Sequence, residues 1–375
     1  MQFQRTGKEN TGMLNTTILK QEEKAVFALR QLYRQYGYLP YQMSKFESYE
    51  YYIQNKDFLI SDRIITFNDT NGKLLALKPD VTLSIIKNGE DIPGYKQKVC
   101  YNEHVYRVSG NTHQFKEIMQ AGLECIGDID LYDMFEVVSL AARSLALIAE
   151  DFAVQISHLG ILGAVLDRVC PDKGFQQKAM ECLKSKNTHD LSRLCREYGA
   201  EEGLLVQLAA AYGPRRQVIR QLEAMGCAGA ALEELRELSA LLDTLPWGEK
   251  IHFDFSVVNN RNYYNGIVFQ GYLSGICESV LAGGQYNKLM EKLERKSGAI
   301  GFALYLDLLE QLRGEVLPYD VDVLLLYSAG DDKQALARTV AQLTAQGLTV
   351  SAQKSIPQKL RYRQLMTLSK EGTVC

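Results

Sequence analysis

The chain has 375 residues, 46% of them apolar, which is enough for two or three domains with real cores. Its 42 basic and 45 acidic side chains leave a net charge of −3, which excludes a global basic field for nucleic acid or anionic membranes and leaves only local patches. No apolar run approaches the ~20 residues that span a bilayer, and the opening Met1-Gln-Phe-Gln-Arg-Thr-Gly-Lys8 lacks the apolar stretch of a signal peptide.

The eight cysteines include no Cys-x-x-Cys pair and fit reduced thiols in a cytoplasmic protein. Residues 20–36 read as an amphipathic helix, with Val26, Leu29, Leu32 and Tyr33 at helical spacing and Gly37-Tyr38 as its stop. The runs Phe58–Phe67 and Leu74–Leu77 flank Asn71-Gly72, a pair that predicts a tight primed hairpin turn. Further strands fit residues 98–108 and 115–126. A helix returns from Asp130 to about Glu150, with Leu131, Met134, Phe135, Val138, Ala142 and Leu145 along one face.

Residues 161–245 are rich in Leu, Ala, Gln and Glu and predict a helical insertion. Strands resume at 251–258, 263–272 and 276–282, and after Pro318 a strand at 321–327, a helix near 335–346 and a strand from 348 make one βαβ unit. Strands, a helical block and more strands predict an α+β fold around an antiparallel sheet flanked by helices. The expected division is a core of residues 1–160 and 246–318, the insertion 161–245, and a short α/β segment 319–375.

Four pieces of the chain could line a pocket. In Phe115–Gly127, alternation places Gln120, Gly122 and Glu124 on one face, two polar groups with a side-chain-free glycine between them. The same pattern would serve a solvated sheet face. In Leu77-Lys-Pro-Asp-Val-Thr82 a strand ends at proline and displays Asp80 and Thr82, a carboxylate and a hydroxyl suited to an ammonium group. The alternative is a turn or helix cap. In Asn259–Phe269, Tyr263-Tyr264 offer one ring to the core and one phenol to a pocket, or simply two core rings. Gly283-Gly284, between a strand and a helix, fits a loop close to a ligand.

Cys100, Glu103 and His104 lie close together but lack a second cluster, so no metal is expected, and no cofactor motif occurs. Lys359, Arg361 and Arg363 read as a solvated basic cluster.

In order and spacing these pieces, with Leu281–Asn287 and Ala299–Leu309, resemble histidyl-tRNA synthetase from about residue 20 to 312. They more closely resemble its non-synthetase paralogue, the regulatory subunit of ATP phosphoribosyltransferase. Gly37 through Glu47 looks like class II motif 1, with Ser44 in the place of its proline. The resemblance implies a class II synthetase-like fold in which Asp80 and Thr82 hold the amino group of histidine. Gln120 and Glu124 would be its pocket pair, and Tyr263 and Tyr264 would flank the imidazole. Arg107 matches the motif 2 arginine that touches the ATP α-phosphate, leaving a possible nucleotide or carboxylate contact with Asn259.

Three departures point away from synthetase chemistry. Asn259 stands where the synthetase has an activating arginine, although Arg261 lies two residues on. Leu308 stands where the last motif holds ATP with arginine, and the segment after Arg107 lacks the charged residues that clamp ATP and tRNA. Removing one preorganised charge-stabilising group can cost roughly 10²–10³ in rate. The resemblance therefore implies a non-catalytic regulatory subunit that joins the short-form catalytic chain, carries feedback inhibition by free histidine, and forms a homodimer within a hetero-octamer. No specific tRNA binding is expected. The alternatives are an active histidyl-tRNA synthetase or a synthetase-like binding protein of another role.

Overall fold

Thirteen residues, Phe115–Gly127, form the longest described strand, and their alternation organises the fold. Ala121, Leu123 and Cys125 turn into a continuous apolar core, while Gln120, Gly122 and Glu124 turn to the opposite face. The computed structural model describes residues 19–55, 64–89, 91–108, 113–227, 229–258, 263–312 and 318–368. They belong to two compact units, residues 1–312 and 313–375.

Helices Gln21–Gln35 and Leu131–Ala146 pack against the apolar face, burying Leu29, Leu32 and Tyr33 from the first and Val137, Val138 and Leu145 from the second. The second helix starts where it does because Asp130 accepts from the amides of Tyr132 and Asp133, and the Asp133 carboxylate accepts from the Asp130 amide. In space the sheet runs Leu39–Pro40, Gln97–Val108, Phe115–Gly127, Gly298–Tyr305, Leu281–Gln285, Ile267–Leu273, Phe152–His158, Ile251–Asp254 and Tyr212–Pro214. Its neighbours are antiparallel except at two joins, Leu39–Pro40 with Gln97–Val108 and Phe152–His158 with Ile251–Asp254. The predicted antiparallel sheet is therefore locally mixed, and the strand Phe152–His158 had no sequence prediction.

The helical region begins at Leu159 and runs to Leu242, interrupted by the short strand Tyr212–Pro214. This region, read from the sequence as a helical insertion, falls within the first compact unit. Leu183, Leu208 and Leu235 share one apolar cluster with Ile156 and Phe253 of the sheet. Buried Arg215 donates to the carbonyl of Ile251 (2.5 Å), and His158 Nε2 meets Glu234 at 3.0 Å, so polar ties reinforce the shared core.

The predicted hairpin forms between Thr66–Asn68 and Leu74–Leu77, but residues 58–63 lie outside the described residues. Its loop is longer than a two-residue turn. Asp69 Oδ1 accepts from the amides of Asn71 and Lys73 (both 2.8 Å), and Gly72 supplies the left-handed conformation at φ 78°.

The second unit exceeds the single βαβ predicted. Strand Val321–Leu326, helix Lys333–Ala345 and strand Val350–Gln353 are joined by a further parallel strand, Tyr362–Thr367, on the other edge of Val321–Leu326. Among the described residues no helix is long and apolar enough to cross a membrane.

Candidate functional site

The polar face of Phe115–Gly127 floors a cavity of about 350 Å³, at the small end of the ~300–1,000 Å³ range of ligand pockets. Asp80, Thr82, Arg107, Gln120, Glu124, Tyr263 and Tyr264 all line it, so seven of the sequence candidates converge on one space. Asn259 lies outside the described residues, as does Arg261.

Each polar group reaches the cavity by an identifiable local device. Asp80 is the cap of helix Val81–Asn88, its Oδ1 accepting from the Leu83 amide at 2.9 Å. The cap and ligand readings of this residue are thus compatible: one oxygen organises the helix and the residue still lines the cavity. Thr82, one step into that helix, donates to Glu124 Oε1 at 2.7 Å. Tyr286 donates to Glu124 Oε2 at 2.6 Å, across 162 residues of sequence. Glu124 fits because Gly301 faces it in the sheet register, where a Cβ would fall 1.8 Å from Glu124 Oε2.

Gly122 does not open ligand space as expected. A Cβ there would lie 2.4 Å from the Tyr101 hydroxyl, so the neighbouring strand's ring occupies that volume.

Glu124 is 2% exposed and Asp80 7%. Burial pushes the Glu124 carboxyl up to about 8, against hydrogen bonds from Tyr286 and Thr82 that favour its ionised form, while the charge of Asp80 adds to the rise. Burial likewise raises Asp80, opposed by the Leu83 amide, the Arg107 guanidinium and the Thr82 amide. With two buried carboxyls in its lining, the cavity favours an entering ammonium or imidazolium that supplies positive charge. Arg107 donates through Nε to the Pro79 carbonyl at 3.0 Å and also hydrogen-bonds Tyr305.

Tyr263 and Tyr264 precede the strand Ile267–Leu273 and do not begin it. Their ring centroids are 4.6 Å apart at 51°, and Tyr263 also meets Tyr286 at 5.7 Å. Both phenols line the cavity, so neither ring is spent wholly on the core. Burial holds their hydroxyls protonated, with ionisation pushed well up. The result is an aromatic wall of neutral phenols beside an acidic floor.

Other expectations fare differently. Gly283 and Gly284 lie within the strand Leu281–Gln285, not in a loop. A Cβ on Gly283 would sit 2.4 Å from the Gly301 carbonyl, so strand packing accounts for that glycine. Leu308 lies in the 3-10 helix Leu306–Gln311 and packs against the main apolar core. Glu103 is paired with fully buried Lys78 at 2.8 Å.

Sequence reasoning assigned no role to Tyr286, Tyr101, Tyr305, Gly301 or Lys184, all of which line the cavity. Tyr286 and Gly301 fall inside the runs Leu281–Asn287 and Ala299–Leu309 that carried the resemblance, which was the available signal. Lys184, from the helical region, had none.

The histidyl-tRNA synthetase family model matches residues 14–309. The ATP phosphoribosyltransferase regulatory subunit of Clostridium kluyveri is 28% identical over 292 residues, covering 74% of each chain. That of Oceanobacillus iheyensis is 28% identical over 321 residues, covering 82% of this chain and 79% of the relative. Among solved structures, an ATP phosphoribosyltransferase regulatory subunit/histidyl-tRNA synthetase from Bacillus halodurans matches with a TM-score of 0.77 at 23% identity, covering 92% of this chain and 93% of that one. A chain of the ATP phosphoribosyl transferase (HisG:HisZ) complex from Thermotoga maritima gives 0.61 at 22% identity, with 76% and 97% covered. Histidyl-tRNA synthetase from Nostoc gives 0.69 at 15%, with 90% and 83% covered. The structural likenesses establish a shared fold.

Proposed function

We propose that this chain, which belongs to the histidyl-tRNA synthetase family, acts as the non-catalytic regulatory subunit of an ATP phosphoribosyltransferase. In that role it serves the first step of histidine biosynthesis, and the chemistry is done by a separate short-form catalytic subunit. The relatives named as such subunits match across about three quarters of this chain, and one neighbour in fold comes from a complex with a catalytic partner. The observation that carries the reading is the contrast within the site. Asp80, Thr82, Glu124 and the two tyrosines converge on one cavity, whereas position 308 holds a leucine packed into the core.

Free histidine is the effector. Its ammonium sits toward Asp80, Thr82 and Glu124, its imidazole lies against Tyr263 and Tyr264, and Gln120 supplies a further hydrogen-bonding group. Binding biases the assembly with the catalytic partner through a coupling free energy between the two sites. The assembly is a hetero-octamer built on homodimers of this chain, in the cytoplasm, without specific use of tRNA.

The test is reconstitution. The purified chain added to a short-form catalytic subunit should raise phosphoribosyl transfer, histidine should inhibit the complex, and Asp80→Ala should keep the activation while losing the inhibition. Histidine-dependent pyrophosphate exchange with ATP well above background would overturn this reading in favour of an active synthetase.

A further inference from the structure

Four charged side chains line the cavity, and three of them come from the sheet or the helix at its edge: Asp80, Glu124 and Arg107. The fourth, Lys184, is the last residue of helix Lys173–Lys184 in the helical region. Lys184 forms no ion pair among the described residues, and its side chain is exposed at the cavity.

The turn that follows Lys184 is built at a conformational cost. Lys186 adopts φ 52°, the left-handed position after a helix where glycine is favoured. The associated bonds are present, from the Asn187 amide to the Cys182 carbonyl (2.8 Å) and from the Lys186 amide to the Leu183 carbonyl (3.0 Å). A lysine at this position gains something a glycine could not. Its Nζ donates to Asp254 Oδ2 at 2.9 Å and lies 4.2 Å from the centroid of the Tyr212 ring. Asp254 is itself 2% exposed and fixed, its Oδ1 accepting from the amide and hydroxyl of Ser256 (2.9 and 2.6 Å). The turn is thereby fastened to the sheet strand Ile251–Asp254, four residues before Val258, which also lines the cavity.

From this we infer that Lys184 receives the carboxylate of the bound amino acid and couples occupancy of the cavity to the helical region through the turn held by Lys186 and Asp254. The inference rests on the reading of the cavity as an amino-acid site. Among the described residues Arg107 is the competing cation, but it stands close to Asp80 and is engaged by the Pro79 carbonyl and Tyr305. With the ammonium toward Asp80 and Glu124, a zwitterion needs its countercharge at another part of the wall, and among the described residues Lys184 is the cation there that forms no ion pair.

The experiment is calorimetric titration of the full chain with L-histidine and with L-histidinol, which keeps the ammonium and imidazole and replaces the carboxylate by an uncharged alcohol. Lys184→Ala should weaken histidine binding about 5- to 20-fold, the scale of one charge-assisted contact at a partly wet site, and leave histidinol binding unchanged. Amide hydrogen exchange in residues 185–191 should slow with histidine and not with histidinol. Lys186→Ala, which leaves the cavity wall intact, should reduce that protection. Equal losses for both ligands, or no loss for histidine, would overturn the inference. Failure of the wild-type chain to bind either ligand would instead overturn the amino-acid reading on which it stands.

Discussion

The two faces of strand Phe115–Gly127 are almost equally buried and energetically opposed. On one face Leu123 and Cys125 are inaccessible and sit in the main core. On the other, Gln120 and Glu124 are 3% and 2% exposed and line the cavity. Fully burying a leucine stabilises a fold by about 1.5–3 kcal/mol. Burying a carboxylate costs free energy that donors to its oxygens offset only in part. Here both oxygens of Glu124 have donors, and burial still raises its proton affinity. The core face therefore holds the sheet together, whereas the polar face is maintained at a cost that a cationic ligand would relieve.

The largest expected effect lies on the core face. Leu123→Ala removes a fully buried side chain and should lower unfolding free energy by about 2–5 kcal/mol, read from urea denaturation, with histidine affinity of the folded protein unchanged. A comparable loss from Glu124→Gln at pH 8 would break the comparison.

For Glu124→Gln the sign should depend on pH. Burial raises the folded-state pKa to about 8, from the ordinary carboxyl value of 4.5. Its contribution to stability is thus fully present below about 4.5 and is lost as pH rises through 8. Wild-type stability should fall relative to the glutamine variant across that window, by an amount on the order of a few kcal/mol. Histidine binding should move the other way, weaker in the variant by about 1–3 kcal/mol. Wild type should also release a proton on binding near pH 7, detectable by calorimetry in buffers of different ionisation enthalpy. Parallel stability curves for the two proteins would show that Glu124 is ionised throughout.

The floor of the cavity was legible in the sequence because it depends on local rules. Alternation alone put Gln120 and Glu124 on one face, and the Pro-Asp step marked either a cap or a ligand group at Asp80, which proves to be a cap lining the cavity. Readings that required a neighbour failed or were missing. The space beside Gly122 belongs to Tyr101 of the next strand, and the partner of Glu124 is Tyr286. The strand Tyr212–Pro214 was unreadable inside a helical stretch, since three residues ending in proline carry no period. The helical region was legible from its Leu, Ala, Gln and Glu content, which does not say which surface is the partner of its apolar faces. Here that partner includes the sheet's own core.

The smallest effect expected is from Tyr286→Phe, which asks how much of the polar face depends on a single donor. The ring stays, so its packing against Tyr263 and the surrounding apolar cluster is preserved. What disappears is the 2.6 Å hydrogen bond to Glu124 Oε2, which pulls the Glu124 pKa down against burial. Removing it should carry that pKa further above 8, so the fall in stability with pH should end at a higher pH than in wild type. Below about pH 6 the carboxyl is protonated in the folded state, and the loss should be only about 0.5–1.5 kcal/mol, that of an ordinary hydrogen bond. Above pH 8 the loss should grow, because an ionised oxygen is then left with one fewer donor. A stability difference between Tyr286→Phe and wild type that stays constant from pH 5 to 9 would mean that the phenol supports the wall of the cavity and not the charge of Glu124.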